Sequence, residues 1–445
     1  MRSLKTNIFF KVSIIIIIGL LLLIPTSMIK SLIRERENTQ RDAISEVSLK
    51  WGAEQTISGP IVSIPYYRYV KQATQKDSIS RLVAVKEYIH FLPTQLNIKG
   101  DIQPKKRSRG IYDIVVYNSK LNISGVFNNI KFDNLDIPVK DIQFDKAFVT
   151  VGISDLRGIE KQIELNWNNE KSVFNPGTVT NDIHESGINA LINVSNTNNT
   201  SYKFSFDLDL KGSQLLYFTP VGEITDVQMS STWNNPSFNG AFLPDSHTIT
   251  NSGFTASWNI LHLNRNYPQM WTGSEQYISS SAFGIDLLLP VDSYQKSTRS
   301  IKYAILFIVF TFLVFFFVEV LNKVFIHPIQ YILVGIALIV FYTLLLSISE
   351  HLKFNIAFIV SAISTLLLIA GYIKAILKSN KLTYLISGIL FILYTFIFVI
   401  IQLQDYALLI GSIGLFIILG LVMYFSRKID WYNLSMEEKT TNIQS

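Results

Sequence analysis

The 445-residue sequence contains no cysteine and only six histidines. A chain without cysteine cannot form a disulfide, a thiolate zinc site or a thiol nucleophile, and it suits an oxidising compartment without requiring one. No two histidines lie within ten residues of each other, so a local zinc motif is absent, whereas a site assembled by folding would not be visible here. The six histidines are His90, His184, His247, His262, His327 and His351.

Charge is also scarce: 16% of the residues are charged and 49% are hydrophobic, whereas about a quarter of a soluble globular chain is charged. Residues 30–300 hold 27 Lys/Arg and 27 Asp/Glu, and the rest of the chain holds 12 and 6, so the whole net charge of +6 lies outside 30–300. This distribution excludes an ordinary cytosolic enzyme, a nucleic-acid binder and a disordered protein.

Catalytic signatures are missing as well. The sequence has no Gly-x-Ser-x-Gly elbow, phosphate loop, dinucleotide fingerprint or His-Glu-x-x-His. We therefore predict a protein that is not an enzyme and has no catalytic residue, cofactor or metal site.

Six apolar stretches reach the length of about 20 residues that a bilayer core requires. The first could be a cleaved signal peptide, but no small-x-small site follows it, so we interpret it as an uncleaved anchor. The other five are joined by short connections, which predicts an antiparallel five-helix bundle at 301–425. The stretches are 8–29, 303–320, 329–349, 354–372, 382–401 and 406–425.

Basic residues in the short loops indicate the orientation in the membrane. Lys323, the group Lys374, Lys378 and Lys381, and the pair Arg427 and Lys428 fall on the side of the N-terminus if the chain crosses six times. Both termini are then cytoplasmic, with residues 1–29 forming a stub and first helix and 426–445 a loose tail. Residues 30–300 lie outside, in the periplasm, although basic residues flank that region on both sides.

The region 30–300 is rich in strand signals. Residues 202–210 alternate apolar and polar side chains without a break, and similar runs occur at 95–98, 114–117 and 163–167. Residues 36–56 are the exception and predict a short amphipathic helix that leaves the membrane. The sequence thus predicts an antiparallel, two-layer β domain of the sandwich type between the first and second membrane helices.

Short matches at an offset of about 110 residues raise the question of an internal duplication. LNIKG at 96–100 resembles LDLKG at 208–212, and SGVF at 124–127 resembles NGAF at 239–242. Two repeat units, at 57–160 and 161–290, would form two stacked β subdomains. Alternating strands also produce such matches by chance, so both alternatives stay open.

Three polar groups in this region have a simple structural interpretation. The basic cluster 105–109 could contact lipid phosphates, but we expect a solvated loop between strands. Asp155 and Arg157 are expected to hold a turn. Asp182, His184 and Glu185 resemble an acid/base group, but no partner nucleophile is evident and we expect surface residues.

Ionisable residues near the membrane-helix ends are low-ranking functional candidates. They are Glu319, which we expect to pair with Lys323 four residues on, His327, which precedes Pro328 at a helix start, and Glu350 with His351. No charge lies near the middle of any of the six stretches, which argues against a proton-coupled transporter or an embedded metalloenzyme without excluding either.

Long motifs throughout the chain resemble the CreD family of inner-membrane proteins, from about residue 35 to 375. The matching stretches are WGAEQ at 51–55, HFLP at 90–93, RSRGIY at 107–112, SDLRGI at 154–159, LNRNYPQ at 263–269, PVDSYQ at 290–295, HPIQY at 327–331 and LSISEH at 346–351. The last two helices match by hydropathy more than by motif.

This resemblance implies a bacterial inner-membrane protein that supports cell-envelope integrity and tolerance of envelope stress, β-lactams and colicins. It brings no catalytic residue or cofactor. The expected partners are the lipid bilayer and envelope proteins or lipids. In the block that joins the external domain to the second helix, we predict that Asp292, Tyr294 and Arg299 fix the junction.

Two other functions stay open. A carrier would pass a lipid or other amphiphile between the bundle and the β domain, whereas a stress sensor would need a larger cytoplasmic region than these segments provide.

Overall fold

A computed structural model describes residues 8–73, 80–128, 130, 132, 136–195, 201–274, 276–289, 293–403 and 406–429. The chain forms two compact units. Residues 1–40 and 291–445 make up the helical unit, and residues 41–290 make up the β unit. Asp292 of the predicted junction lies outside the described residues.

Helices account for the described parts of the helical unit. They are α1 (Ile8–Leu21), α2 (Leu23–Trp51), α3 (Ser293–Lys302), α4 (Ala304–Asn322), α5 (Pro328–Ser349), α6 (Phe354–Leu377), α7 (Asn380–Gln402) and α8 (Ala407–Ser426). The last part of α2 is counted in the β unit. Six helical segments are long and apolar enough to cross a membrane: the run Phe10–Trp51 and α4 to α8. The expected set of one N-terminal and five C-terminal helices is confirmed.

Seventeen strands are found in the described part of the β unit. They are β1 (Gln55–Ala73), β2 (Ser80–Phe91), β3 (Gln95–Arg109), β4 (Tyr112–Asn128), β5 (Phe148–Ile153), β6 (Glu164–Trp167), β7 (Glu170–Val173), β8 (Asn175–Pro176), β9 (Gly187–Leu191), β10 (Ser201–Ser213), β11 (Leu215–Thr219), β12 (Ile224–Ser231), β13 (Pro236–Gly240), β14 (Ser246–Thr250), β15 (Gly253–Leu261), β16 (Met270–Thr272) and β17 (Phe283–Leu287).

The strands form two sheets. Sheet 1 has the order β13-β17-β11-β1-β5-β9-β8, with β2 pairing β1 and β16 pairing β2, and sheet 2 has the order β14-β15-β12-β3-β4-β10-β6-β7. Inward residues of both sheets share one apolar core, to which β10 contributes Phe204, Phe206 and Leu208. The alternation that predicted a half-buried strand at 202–210 is confirmed by the burial pattern of β10.

The sheets are mixed rather than purely antiparallel, which corrects part of the expected architecture. β1 pairs β11 in parallel and β3 pairs β12 in parallel, while the other strand pairs are antiparallel. Parallel neighbours need long crossover connections, and alternation within a strand carries no information about such distant pairing.

The strands of the two predicted repeat units are interleaved in both sheets. β1 and β5 of the first unit are flanked on both sides by strands from 161–290 in sheet 1, and so are β3 and β4 in sheet 2. The matched segments 124–127 and 239–242 lie in different sheets, in β4 and at the end of β13. The two halves therefore do not form the two stacked subdomains expected from a duplication.

Candidate functional site

Glu319 is the most buried of the charged candidates in the helical unit. It lies in the last turn of α4 with its side chain 7% exposed, and it forms an ion pair with Lys11 of α1. The expected partner, Lys323, caps α4 in a left-handed conformation (φ 52°) and is exposed. The predicted i,i+4 pair is therefore wrong, because the helix ends before Lys323 reaches the position that would face Glu319.

Hydrogen bonds complete the environment of the Glu319 carboxylate. Its Oε1 accepts from the backbone N–H of Ile326 at 3.0 Å, and its Oε2 accepts from the hydroxyl of Tyr331 at 2.9 Å. A buried ion pair offsets its desolvation only when such bonds satisfy the remaining lone pairs. Lys11 also lies over the ring of Phe325, 4.5 Å from its centroid. This Glu319 cluster connects α1, α4 and α5.

His327 has a capping role at the start of α5. Its Nδ1 accepts from the backbone N–H of Ile329 at 3.3 Å, and the Gln330 side chain accepts from the His327 N–H at 3.0 Å. Pro328 occupies the first turn of the helix, as the sequence indicated.

Glu350 lies at the other end of α5 and meets one of the three predicted junction residues. The hydroxyl of Tyr294, in α3, donates to Glu350 Oε1 at 3.1 Å, and the Nε of Arg36, in α2, lies 3.6 Å from the same oxygen. The next residue, His351, is exposed, and its side chain makes no hydrogen bond with the described residues. We call Arg36, Tyr294 and Glu350 the Glu350 cluster.

Arg299 does not join Tyr294 and Glu350. It lies half-buried on α3, and its guanidinium makes no hydrogen bond or ion pair with the described part of the chain. Its neighbour Lys296 donates to Gln402 of α7 at 2.8 Å. Burial, with a smaller effect from the charge of Arg299, lowers the pKa of Lys296. Tyr294 is therefore the predicted junction residue with a described polar contact.

The β unit contains a Ser–His–Asp arrangement that the sequence analysis does not predict. Ser63 of β1 lies 2.9 Å from His90 Nδ1, and Asp182 Oδ2 lies 3.3 Å from His90 Nε2. The carboxylate can only accept, so Nε2 carries the proton and Nδ1 accepts from the Ser63 hydroxyl. These residues are 27 and 92 positions apart from His90 in the sequence, and no local spacing could have indicated them.

The cluster lies on the face of sheet 1 that points away from the shared core. His184 lies against Gly152 of β5, where a Cβ atom would come within 2.7 Å of the imidazole ring. Of the residues expected at the surface, Glu185 is exposed, whereas Asp182 and His184 are each partly buried.

The geometry of this cluster does not resemble that of a working hydrolase. Ser63 and His90 have no exposed surface, so a substrate cannot reach the hydroxyl. Burial lowers the pKa of His90 to about 4, although the charge and hydrogen bond of Asp182 raise it. Burial, and then the proximity of His90, lowers the pKa of His184 to about 4. Both imidazoles are neutral at pH 7, and His90 connects Ser63 and Asp182 in a structural hydrogen-bond network.

Asp155 and Arg157 hold a turn, as predicted. The Asp155 carboxylate accepts from the Arg157 guanidinium at 2.8 and 2.9 Å and from the Ala53 N–H at 2.9 Å. Burial alone would raise the pKa of Asp155, but these hydrogen bonds more than offset it and the pKa is lowered. The Gln55 amide donates to the Asp155 carbonyl at 2.9 Å, which connects the turn to β1.

The basic cluster 105–109 is not a loop. It forms the end of β3 and pairs with residues 112–116 of β4. Arg109 contacts Glu46 at 3.2 Å, and the Arg107 guanidinium lies 5.1 Å from the Trp51 ring centroid. Regular pairing continues because the hairpin turns only at Gly110 and Ile111.

An apolar groove of about 540 Å³ lies between α1, α4 and α8. Its walls include Ile16, Gly19, Val309 and Phe316. Within the described ranges, no group of three or more His, Asp or Glu side chains is placed to hold a metal ion.

Comparison with known proteins gives a match along nearly the whole chain. A family model described as "Inner membrane protein CreD" matches residues 7–432. The Inner membrane protein CreD of Escherichia coli (strain K12) is 30% identical over 439 residues, which cover 97% of this chain and 96% of that protein.

Solved structures give only weak similarity. An M1 zinc metallopeptidase from Deinococcus radiodurans aligns with 38% of this chain and 38% of its own at 7% identity and a TM-score of 0.18, and a mutant of that enzyme aligns at 8% identity with the same score. A TM-score this low carries no argument about fold or function.

Proposed function

Because this chain belongs to the CreD family of inner-membrane proteins, we propose that it supports the integrity of the bacterial cell envelope without catalysing a reaction. In this proposal its β unit contacts other components of the envelope. The result is tolerance of envelope stress, including β-lactams and colicins.

The orientation belongs to the same proposal. Both termini are cytoplasmic and the β unit is periplasmic. Support comes from Lys374, Lys378 and Lys381, which cluster at the connection of α6 and α7, as basic residues do in short cytoplasmic loops.

The observation that carries the proposal is that the buried polar side chains described above, in both units, make structural contacts with other residues. The Glu319 and Glu350 clusters connect helices, Asp155 holds a turn, and Ser63 and His90 are fully buried next to the partly exposed Asp182. These chemically capable groups thus have structural partners, which favours a scaffold whose surface makes the functional contacts.

The apolar groove favours a second candidate function. A cavity of about 540 Å³ with almost entirely apolar walls matches an acyl chain in size and chemistry. In this alternative the protein carries a lipid or another amphiphile between the membrane and the β unit.

Complementation of a deletion strain under β-lactam or colicin stress tests both candidates. The wild-type chain is compared with Val309→Trp, which fills the groove, and with Ile363→Trp, a matched change at an exposed position of α6. The scaffold function predicts equal rescue by all three proteins at equal expression. Loss of rescue by Val309→Trp alone would favour the carrier, and no rescue by the wild-type chain would contradict the proposed role.

A further inference from the structure

The two sheets of the β unit differ in how their outer faces are covered. All six residues of β5 in sheet 1 are buried, so sheet 1 is covered on both faces at this strand. In sheet 2, β10 and β12 alternate between buried and more accessible positions. One face of sheet 2 packs on the core and the other is open, an arrangement that antiparallel-rich sheets tolerate.

The open face of sheet 2 carries polar side chains in continuous cross-strand rows. We call two adjacent rows of six residues the polar face. The first row contains Ser246, Ser257, Gln228, Lys99, Asn122 and Asp207. The second contains Asn259, Asp226, Asn97, Ser124, Ser205 and Asn166.

Three open depressions of about 670, 500 and 420 Å³ lie along the polar face, and Lys99 lines the two larger ones. Residues 161–163 rise beside the first depression, where Lys161 forms a 2.6 Å ion pair with Asp209. Strand β14 borders the second. We call the three depressions together the trough.

Hydrogen-bonding groups remain available at the centre of the trough. Asn122 Nδ2 donates to Asp207 Oδ1 at 2.7 Å, which fixes both side chains. Asn122 Oδ1 and Asp207 Oδ2 still have free lone pairs, and Lys99 makes no hydrogen bond or ion pair with any residue that the structure describes. Neighbouring strands lie about 4.8 Å apart, so a donor and two acceptors are closely spaced across β3, β4 and β10.

The composition of the polar face distinguishes among ligand classes. No side chain in the two rows is aromatic, whereas the centres of protein interfaces are enriched in aromatic residues and depleted in Lys, Asp and Ser. A hydrophobic ligand needs apolar walls. Nucleic acid needs an excess of positive charge, but Asp207 and Asp226 outnumber Lys99 in these rows. A neutral ligand with many hydroxyl and amide groups fits the mixture of carboxylate, amide, hydroxyl and ammonium groups.

We propose that the polar face of sheet 2 binds a glycan strand, the N-acetylated polysaccharide of the cell wall. This inference rests on the proposed function, since a periplasmic β unit would meet such a strand. It identifies the envelope component that the scaffold contacts. Lys99 donates to sugar hydroxyl or acetamido oxygens, and Asn122 Oδ1 and Asp207 Oδ2 accept from hydroxyl or acetamido N–H groups.

Co-sedimentation of the full chain in detergent with purified peptidoglycan sacculi tests the proposal, with chitohexaose as soluble competitor. The triple variant Lys99→Ala/Asn122→Ala/Asp207→Ala is compared with Thr178→Ala/Asn181→Ala/Asn239→Ala, which removes polar groups outside the polar face. Loss of three modest hydrogen-bond contributions predicts binding weaker by about tenfold or more for the first variant. The second should bind as the wild type does. Tryptophan fluorescence confirms folding of both.

Three results would overturn the assignment: no sedimentation of the wild-type chain, equal binding by both variants, or binding that chitohexaose does not displace. The last would point to the peptide part of the wall. Glycan binding and complementation are separate measurements. Rescue without glycan binding would contradict only this inference, and glycan binding without rescue would contradict only the proposed function.

Discussion

Lys11 of α1 and Glu319 of α4 form an ion pair that joins residues 308 positions apart in the sequence. The carboxylate also accepts from Tyr331 and from the backbone of Ile326. Three separate segments thus converge on one side chain. Such convergence makes the pair sensitive to removal of a single partner, because a charge left alone in a buried site is costly.

Glu319→Ala is expected to lower the unfolding free energy of the helical unit by about 3 kcal/mol, since Lys11 would lose its counter-charge. Lys323→Gln is the matched control and should change the stability by less than about 0.5 kcal/mol, because Lys323 is exposed and outside the pair. Denaturant titration in mixed micelles, followed by helical circular dichroism, measures both. Equal effects of the two substitutions would contradict the role of the ion pair.

The junction prediction concerns Asp292, Tyr294 and Arg299. Substitution of all three is expected to abolish complementation under envelope stress at normal expression. Tyr294→Phe alone should weaken rescue only partly, because it removes one hydrogen bond, to Glu350, and keeps the buried ring. His351→Gln at an exposed neighbouring position is the control. Full rescue by the triple variant would disprove a mechanical role of the junction.

Asp155→Ala should destabilise the β unit by about 2 kcal/mol, because the Ala53 and Arg157 N–H groups would lose their acceptor. Five of the six tryptophans lie in the β unit, so tryptophan fluorescence during urea unfolding follows this unit. Asp113→Ala, in an exposed hairpin, serves as the control. A loss below about 0.5 kcal/mol would show that the turn does not depend on the carboxylate.

The stability of the β unit should fall as the pH is lowered from about 6.5 to about 4. His90 and His184 have a pKa of about 4 in the folded chain and about 6.5 when unfolded, so the unfolded chain binds more protons in this window. For the fully buried His90 the loss is of the order of 3 kcal/mol, complete near pH 4.

His90→Gln should reduce this pH dependence, because the glutamine amide does not titrate, while the contribution of His184 remains. Urea unfolding at pH 7, 6, 5 and 4, followed by tryptophan fluorescence, provides the comparison. His262→Gln is the control, since it removes a histidine that is not fully buried. If the variant and the wild type lost stability in parallel, other groups would account for the acid sensitivity.

The absence of cysteine makes the orientation directly testable with single introduced thiols. A membrane-impermeant maleimide applied to spheroplasts should label Thr248→Cys on β14 and Leu352→Cys between α5 and α6. Lys381→Cys, near the start of α7, should react only after permeabilisation. All three positions are exposed. The reverse pattern would show that the proposed orientation is inverted.

Local patterns predicted the parts of the fold that depend on neighbours in sequence. Apolar length identified the six helices, alternation identified strands such as β10, and Asp155 with Arg157 indicated a turn. Contacts between side chains far apart in the sequence were not predictable in this way. Glu319 was assigned to Lys323 because four residues make one helical turn, whereas the chain leaves the helix at Lys323 and Lys11 is the partner.

The same limit applies to the polar groups of the β unit. His90 has no partner close in sequence, since Ser63 and Asp182 approach it only when β1, β2 and the segment before β9 come together. The parallel pairing of β1 with β11 likewise depends on which distant edge is free when the sheets close, and strand composition does not encode that choice.

The interleaving of strands constrains the order in which the β unit can be made. β1 to β5 are synthesised first, yet the edge of β1 at residues 55–58 and the edge of β3 at residues 95–102 remain open until β11 and β12 emerge more than a hundred residues later. Unpaired edges invite association with other chains. The first half of this unit therefore cannot mature on its own during synthesis. A chain that stops before β11 would contain two incomplete sheets. We expect the chaperones and proteases of the cell, rather than the loss of particular residue contacts, to determine whether such a chain persists.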